Sequence, residues 1–154
     1  MTNALRNKNK RLVAMHKVLM SCLIVATLAA CTSAETTYRG EDISDTTWLT
    51  EDIRGGGVID YAQTTLHFES VNQVVGRGGC NTYTTSVTLE PGDRISFGPI
   101  ASTRKMCSTA LMDQETKFFA ALSEVTNYTV DAYLLVLYND DATPLIRLSA
   151  TAND

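Results

Sequence analysis

Hydrophobic positions follow three different rhythms along this chain. Residues 18–30, VLMSCLIVATLAA, are a continuous uncharged run. Between residues 46 and 100, apolar side chains alternate with polar ones in short stretches, each closed by a turn signal. From Ala110 to Val125 they recur at helical spacing. Each rhythm predicts a different kind of element.

The alternating stretches predict strands. Thr46 to Ile53 is a first strand, broken by Gly55-Gly56-Gly57. In Thr64 to Glu69, Leu66 and Phe68 share one face; Asn72 then turns the chain, and Gln73 to Gly76 starts the next strand. Asn81 to Glu90, rich in Thr, Tyr and Val, ends at Pro91-Gly92-Asp93, and Arg94 to Ile100 alternates again. Turns at intervals of roughly 8–12 residues are the pattern of a meander in a small sheet or barrel.

The helical stretch carries Leu111, Phe118, Leu122 and Val125 on one stripe, widened by Met112 and Phe119. Ser108 or Thr109 is placed to cap its start. Asp113 and Glu115 sit in early turns, where the helix dipole favours anions, and Asn127 ends it. Tyr128–Asp131, Tyr133–Tyr138 and Leu145–Leu148 supply the last strands, and the unbroken apolar run at 133–138 predicts burial on both faces. The expected class is α+β: a small, mainly antiparallel, curved and barrel-like β-sheet wrapped around one amphipathic α-helix.

The first run has another meaning. Before it lie Arg6, Lys8, Lys10, Arg11 and Lys17 with no acidic residue. A basic lead, a short apolar stretch and small residues describe a secretory signal peptide, and the run is too short for a bilayer span of roughly 20 residues. Translation from Met15 would leave Met15-His16-Lys17 as a minimal basic lead. Leu28-Ala29-Ala30 followed by Cys31 resembles a bacterial lipobox, in which the cysteine becomes the acylated first residue of the mature protein. A plain signal peptide and an uncleaved anchor or core helix are the alternatives. Thr32 rather than Asp after Cys31 resembles outer-membrane sorting in a Gram-negative cell, with the anchor facing the periplasm. The expected organisation is a signal peptide at 1–30, a lipidated polar tether at 31–45 and one domain at 46–149.

Removal of residues 1–30 takes five of the 13 Lys and Arg and none of the 17 Asp and Glu, leaving eight against 17, a formal charge near −9. Nucleic-acid binders present basic patches, so nucleic acid is excluded as an expected partner. Membrane contact should come instead from acyl chains on Cys31. Cys22 leaves with the signal peptide, and Cys80 and Cys107 remain as an even pair in an oxidising compartment. A disulfide between them is favoured; two buried thiols, or one reactive thiol, is the competing arrangement.

Trp48, then Thr65-Leu66-His67-Phe68, then Gly76 with Gly79-Cys80-Asn81, then Ala101-Ser102-Thr103-Arg104-Lys105-Met106-Cys107, then Glu115 and Phe118 on the helix, occur in order. This set resembles the META domain of HslJ-like heat-shock and envelope lipoproteins over roughly 46–149. The family tends to continue Gly-Cys-Asn with an aromatic, a small residue and a further aromatic. Tyr83 fits that pattern, whereas Thr85 and Val87 depart from it. The resemblance implies a partly open barrel-like sheet around a helix, and roles in stress response, motility or virulence. It implies neither a reaction nor a cofactor.

Taken residue by residue, the chain offers little chemistry. Gly76, Gly78 and Gly79 around Arg77 precede a strand rather than a helix, which favours close backbone approach over phosphate binding. His67, the only histidine of the mature chain, faces away from Leu66 and Phe68 and is expected in solvent. Glu115 falls on the apolar stripe, so its carboxylate must find a partner. Arg104, Lys105 or backbone amides near Gly-Cys-Asn are the candidates, and a structural brace is favoured over a catalytic acid. Tyr83, Tyr133 and Tyr138 either line a groove or pack the core.

No convergent acid–base set or metal-ligand set is visible. The leading expectation is therefore a non-enzymatic, lipid-anchored envelope protein that binds an unknown envelope partner in stress tolerance or assembly. A carrier of an acyl chain or hydrophobic peptide is the second class and a thiol-dependent enzyme the third. An inhibitor of secreted hydrolases is the fourth, for which the exposed loop 54–63 is the candidate.

Overall fold

The computed structural model of the chain describes residues 43–151. The expected signal peptide, Cys22, the lipidation site Cys31 and residues 32–42 of the tether lie outside the described residues. The elements are β1 (Thr47–Ile53), β2 (Gly56–Gly57), a 3-10 turn (Asp60–Ala62), β3 (Thr65–Ser70), β4 (Gln73–Arg77), β5 (Thr82–Glu90) and β6 (Arg94–Phe97). There follow β7 (Ala101–Ser102), α1 (Thr109–Leu122), β8 (Asn127–Asp131), β9 (Leu134–Tyr138) and β10 (Pro144–Ala150).

Eight of the strands form a closed antiparallel ring in the order β1-β3-β4-β5-β6-β8-β9-β10 and back to β1. Closure comes from β10 pairing with β1, from Trp48 opposite Ala150 to Ile53 opposite Ile146. The barrel is thus closed, where the family resemblance implied a partly open one. The two longest-separated strands each span seven residues and satisfy each other's edges, which a barrel needs if no ladder group is to face solvent unpaired. The loosest seam is between β6 and β8. There the ladder is the single pair Arg94–Asn127, extended by Ile95 N–H to Thr126 O (3.0 Å) and Tyr128 N–H to Asp93 O (2.9 Å).

Alternation aims one face of each of the eight ring strands at a common interior. Trp48, Leu66, Phe68, Val74, Val87, Ile95, Leu135, Leu137, Ile146 and Leu148 fill it, joined from the helix by Phe118, Ala121 and Leu122. The buried Trp48 indole N–H donates to Ile43 O at 3.2 Å. A bulge between Thr50 and Asp52 resets the β1 register, so Trp48, Thr50 and Ile53 all point inward despite their uneven spacing. At Gly76 an added Cβ would stand 2.1 Å from Thr65 O and 2.9 Å from the Tyr83 ring. Only a bare backbone lets Tyr83 cross the strand and donate its hydroxyl to Thr65 O at 3.1 Å.

Several sequence expectations need correction. The helix stops at Leu122, because Ser123 donates its hydroxyl to Ala120 O (2.8 Å) and Glu124 N–H closes onto Ala121 O (3.1 Å). Val125 still reaches the core from the connection, and Asn127 opens β8 rather than ending the helix. Ser108 occupies the N-cap without a side-chain capping bond, and no acidic residue lies in the first turn. β6 ends at Phe97, since Gly98 N–H and O turn to Ser86 O and the Thr85 hydroxyl. In the run 133–138, only Leu135, Val136 and Leu137 are buried; Tyr133 is exposed in the β8–β9 turn. His67 is half-buried, not solvated, because its ring sits 3.2 Å from Thr46 O and 3.4 Å from the Thr47 hydroxyl.

One interior group is left unsatisfied. The Thr50 hydroxyl is buried with no hydrogen-bond partner among the described residues. A buried hydroxyl without a partner costs roughly 1–3 kcal/mol. Thr50→Val keeps the shape and removes that cost, so urea unfolding is expected to show about 1 kcal/mol of added stability at unchanged m. A loss of stability would mean that the hydroxyl does have a partner.

Candidate functional site

The motif residues converge at the barrel rim where β4 ends, β3 and β5 begin, and α1 crosses. Here the chain turns through Gly78-Gly79-Cys80-Asn81, closed by Gly78 N–H to Asn81 O at 2.8 Å. The helix lies directly on this turn: a Cβ on Gly78 would stand 2.7 Å from the Phe119 ring and 2.8 Å from Glu115 Cγ. Gly79 follows at φ +131°.

Against the turn lies the Glu115 carboxylate, which is buried. Its Oε2 accepts the backbone N–H of Cys80 (3.1 Å) and of Asn81 (2.6 Å), and its Oε1 accepts Asn81 Nδ2–H (2.8 Å). Three N–H donors stabilise the ion without a cation, since hydrogen bonds to a charged acceptor are roughly twice as strong as neutral ones. Arg104 and Lys105, the candidate side-chain partners, are exposed and are in neither of the two ion pairs formed among the described residues. The amides win because they are already aimed at the helix by the glycine turn, whereas a long cation would have to be desolvated as well.

Asn81 passes the hold outward. Its Oδ1 accepts the Thr103 hydroxyl (2.8 Å) and Lys105 N–H (2.7 Å). Next to it, Cys80 is bridged to Cys107 with a Cα–Cα distance of 5.8 Å. Ser102 lies on β7 opposite Tyr83 of β5. A second polar pair runs alongside: Gln114 Oε1 accepts Ile59 N–H (2.6 Å), and Gln114 Nε2–H donates to the Thr64 hydroxyl (2.9 Å), which donates to Gly78 O (3.2 Å). Both oxygens of Glu115 and both functions of Gln114 are therefore spent on fastening loops to the helix.

The family model for the META domain matches residues 41–152. This chain belongs to the META domain family. Its fold is similar to an NMR structure of a protein from Burkholderia xenovorans, at 23% identity and TM-score 0.59, covering 75% of this chain and 88% of that one. A second NMR structure is similar at 20% identity and TM-score 0.58, over 71% of this chain and 92% of that one. The crystal structure of a DUF4847 family protein from Bacteroides vulgatus follows at 16% identity and TM-score 0.53, over 74% of this chain and 98% of that one. At these identities the likeness concerns the fold. No curated protein matches the chain in sequence.

Within this META domain, the structure gathers Gly79, Cys80, Asn81, Thr103, Glu115 and Cys107 into one cluster and leaves Arg104 on its outer surface. Trp48 and Phe118 belong to the core, and Gly76 makes room for Tyr83, whose ring meets Phe118 and Phe119 edge-on at 5.8 and 5.2 Å. The three tyrosines do not share a groove. Tyr83 is buried, Tyr133 is exposed, and the half-buried Tyr138 has its hydroxyl 3.3 Å from that of Thr129. The segment 54–63 is bent rather than extended. Arg54, Gly55 and Gln63 take positive φ, Arg54 pairs with Glu124 at 2.7 Å, and Ala62 is buried. Gln114 and Thr64 are site residues that the sequence reasoning missed. The signal for Gln114 was present: it lies three residues after Leu111 and four before Phe118, a polar residue at the spacing of the apolar stripe.

Two measurements check this account. In Glu115→Gln the amide oxygen serves the two backbone donors while its NH2 faces Asn81 Nδ2, and Asn81 cannot flip without dropping Thr103 and Lys105. A loss of about 2–3 kcal/mol in urea unfolding is expected; a change below about 0.5 kcal/mol, the range of an ordinary surface substitution, would refute the network. Burial pushes the Tyr83 phenol far above its ordinary value of 10.0, so the folded state stays protonated while the unfolded chain ionises. The contribution of Tyr83 to stability is then complete below about pH 10 and lost as pH rises further. Tyr83→Phe should be about 1 kcal/mol less stable at pH 7 and overtake the parent near pH ~11.

Proposed function

We propose that this META-domain protein is a lipid-anchored bacterial envelope protein that acts by binding, without catalysis, in stress tolerance or assembly. The observation that carries the proposal is the use made of the motif residues. Glu115, Asn81 and the Cys80–Cys107 bridge fasten the exposed segment 101–106 at Thr103, at Lys105 and at the neighbouring Cys107. Fixing a surface segment in advance lowers the ordering cost of a later association, which is how a recognition element gains affinity. Export supports the same proposal: the basic lead, the apolar run and Cys31 resemble a lipobox, and a disulfide suits an oxidising compartment. The acyl chains on Cys31 would then be the membrane contact, periplasm-facing at the outer membrane in a Gram-negative cell. The interior is filled by Trp48, Leu66, Phe118 and their neighbours, which favours an external binding surface over an internal ligand.

Full-length chain grown with radiolabelled palmitate is expected to carry label in the membrane fraction, and Cys31→Ser to carry none. A photo-crosslinker placed at Met106, which is 89% exposed, is expected to capture a discrete envelope protein, while one at Val71, 87% exposed on the β3–β4 turn, is not. Unlabelled soluble protein would refute the anchor, and equal capture from both positions would refute the binding surface.

A further inference from the structure

Segment 101–107 has the backbone of a bound peptide before any partner arrives. Ala101 to Met106 are all exposed, and the chain runs from Thr103 to Ser108 without a turn or a bend. None of these residues takes a positive φ. Strand β7 is hydrogen-bonded to β5, and Thr103 N–H continues that ladder to Thr82 O at 3.0 Å. Backbone polar groups of an extended chain alternate sides. With the N–H groups of Thr103 and Lys105 turned inward, to Thr82 O and Asn81 Oδ1, those of Ser102 and Arg104 are turned outward.

The grip falls on both sides of one residue, Arg104. Asn81 Oδ1 takes the Thr103 hydroxyl on one side of Arg104 and the Lys105 N–H on the other. Two residues further on, Cys107 is bridged to Cys80, the neighbour of Asn81. Between the two held residues lies Arg104, exposed and without an ion pair among the described residues.

We propose that residues 102–107 form a protease-binding loop that presents the Arg104–Lys105 bond to a trypsin-like serine protease, one with a carboxylate at the base of its specificity pocket. The proposal rests on the binding function above and names its partner class. Arg104 enters the pocket and pairs with the carboxylate. The outward N–H groups of Ser102 and Arg104 join the protease by strand addition. In the acylation step the protease serine oxygen adds to the Arg104 carbonyl carbon, its proton passing to the histidine. The Arg104–Lys105 C–N bond then breaks, and the Lys105 amine leaves with that proton. Asn81 and the disulfide hold that amine beside the ester, so the reverse attack re-forms the peptide and restores the serine hydroxyl. A tethered amine has a high effective concentration, which keeps net cleavage slow and the complex tight.

The test titrates the full-length, disulfide-intact chain in detergent against trypsin, with chymotrypsin as comparator. One-to-one inhibition of trypsin is expected, with slow nicking confined to Arg104–Lys105. Arg104→Ala, at an exposed position, should weaken inhibition at least 100-fold, and Arg104→Leu should transfer it to chymotrypsin. Thr103→Val, which drops one half of the grip, should hasten nicking several-fold while the protein stays folded. Complete cleavage without inhibition, or inhibition indifferent to Arg104→Ala, overturns the proposal. If the Met106 crosslink of the parent chain forms while trypsin is not inhibited, the binding function stands and the protease partner falls; if the parent gives no crosslink either, both fall.

Discussion

The structure depends on a buried carboxylate that, among the described residues, no cation pairs with. Glu115 projects from the helix onto the glycine turn and is held by N–H groups alone, two from the backbone and one from Asn81. A buried carboxylate that lost these donors would be severely penalised, so the turn must present them whenever the helix is docked. That requirement explains the rest of the rim. Gly78 lacks a side chain because the helix needs the space, and Asn81 is Asn because it donates to the acid with one end and accepts from the loop with the other. The bridge from Cys80 to Cys107 spans 27 residues, worth about 3.5 kcal/mol in the chain-entropy picture. It links the turn to the segment that leads into the helix bearing Glu115, so covalent and hydrogen-bonded constraints act on the same three pieces of chain.

The barrel around this rim is uneven in strength. Its closing pair, β1 with β10, is long and regular apart from one bulge, and its neighbours β3, β4 and β5 pair over most of their lengths. The β6–β8 seam is a single ladder pair, so apolar packing beneath it contributes much of what holds the two sides of the ring together there. Core residues on the helix and on both sides of the seam, such as Phe118, Leu122, Ile95 and Tyr128, form one cluster. Opening at the seam therefore exposes apolar surface on both halves at once.

Much of this architecture was legible in the sequence. Alternation at Leu66 and Phe68 and the apolar stripe through Phe118 and Leu122 carry local information, and they mark the elements that lie where expected. Closure of the ring was not legible, because Trp48 and Ala150 meet across the whole domain and no local pattern reports such a pairing. The helix end was misjudged because Val125 keeps the helical period while Ser123 ends the helix through its own hydroxyl. At the site, the position of Glu115 showed that a buried acid needed a partner. Which partner it took depended on how the glycine turn aims its amides, a tertiary fact. The extended segment at 101–107 was equally hidden, since its straightness is imposed by Asn81 and the disulfide rather than by its own residues.

Pairing of the first and last strands also sets a polarity. Thr47 and Ala150 lie at the same rim, where Thr151 N–H donates to Thr47 O at 2.9 Å, while the helix, Asn81 and strand β7 lie at the other. Anything pulling on the domain through the chain preceding β1 grips the rim without the disulfide. Force entering at Thr47 is shared at once between the ladders to β10 and β3, and it reaches the Glu115 turn only through the length of the barrel wall.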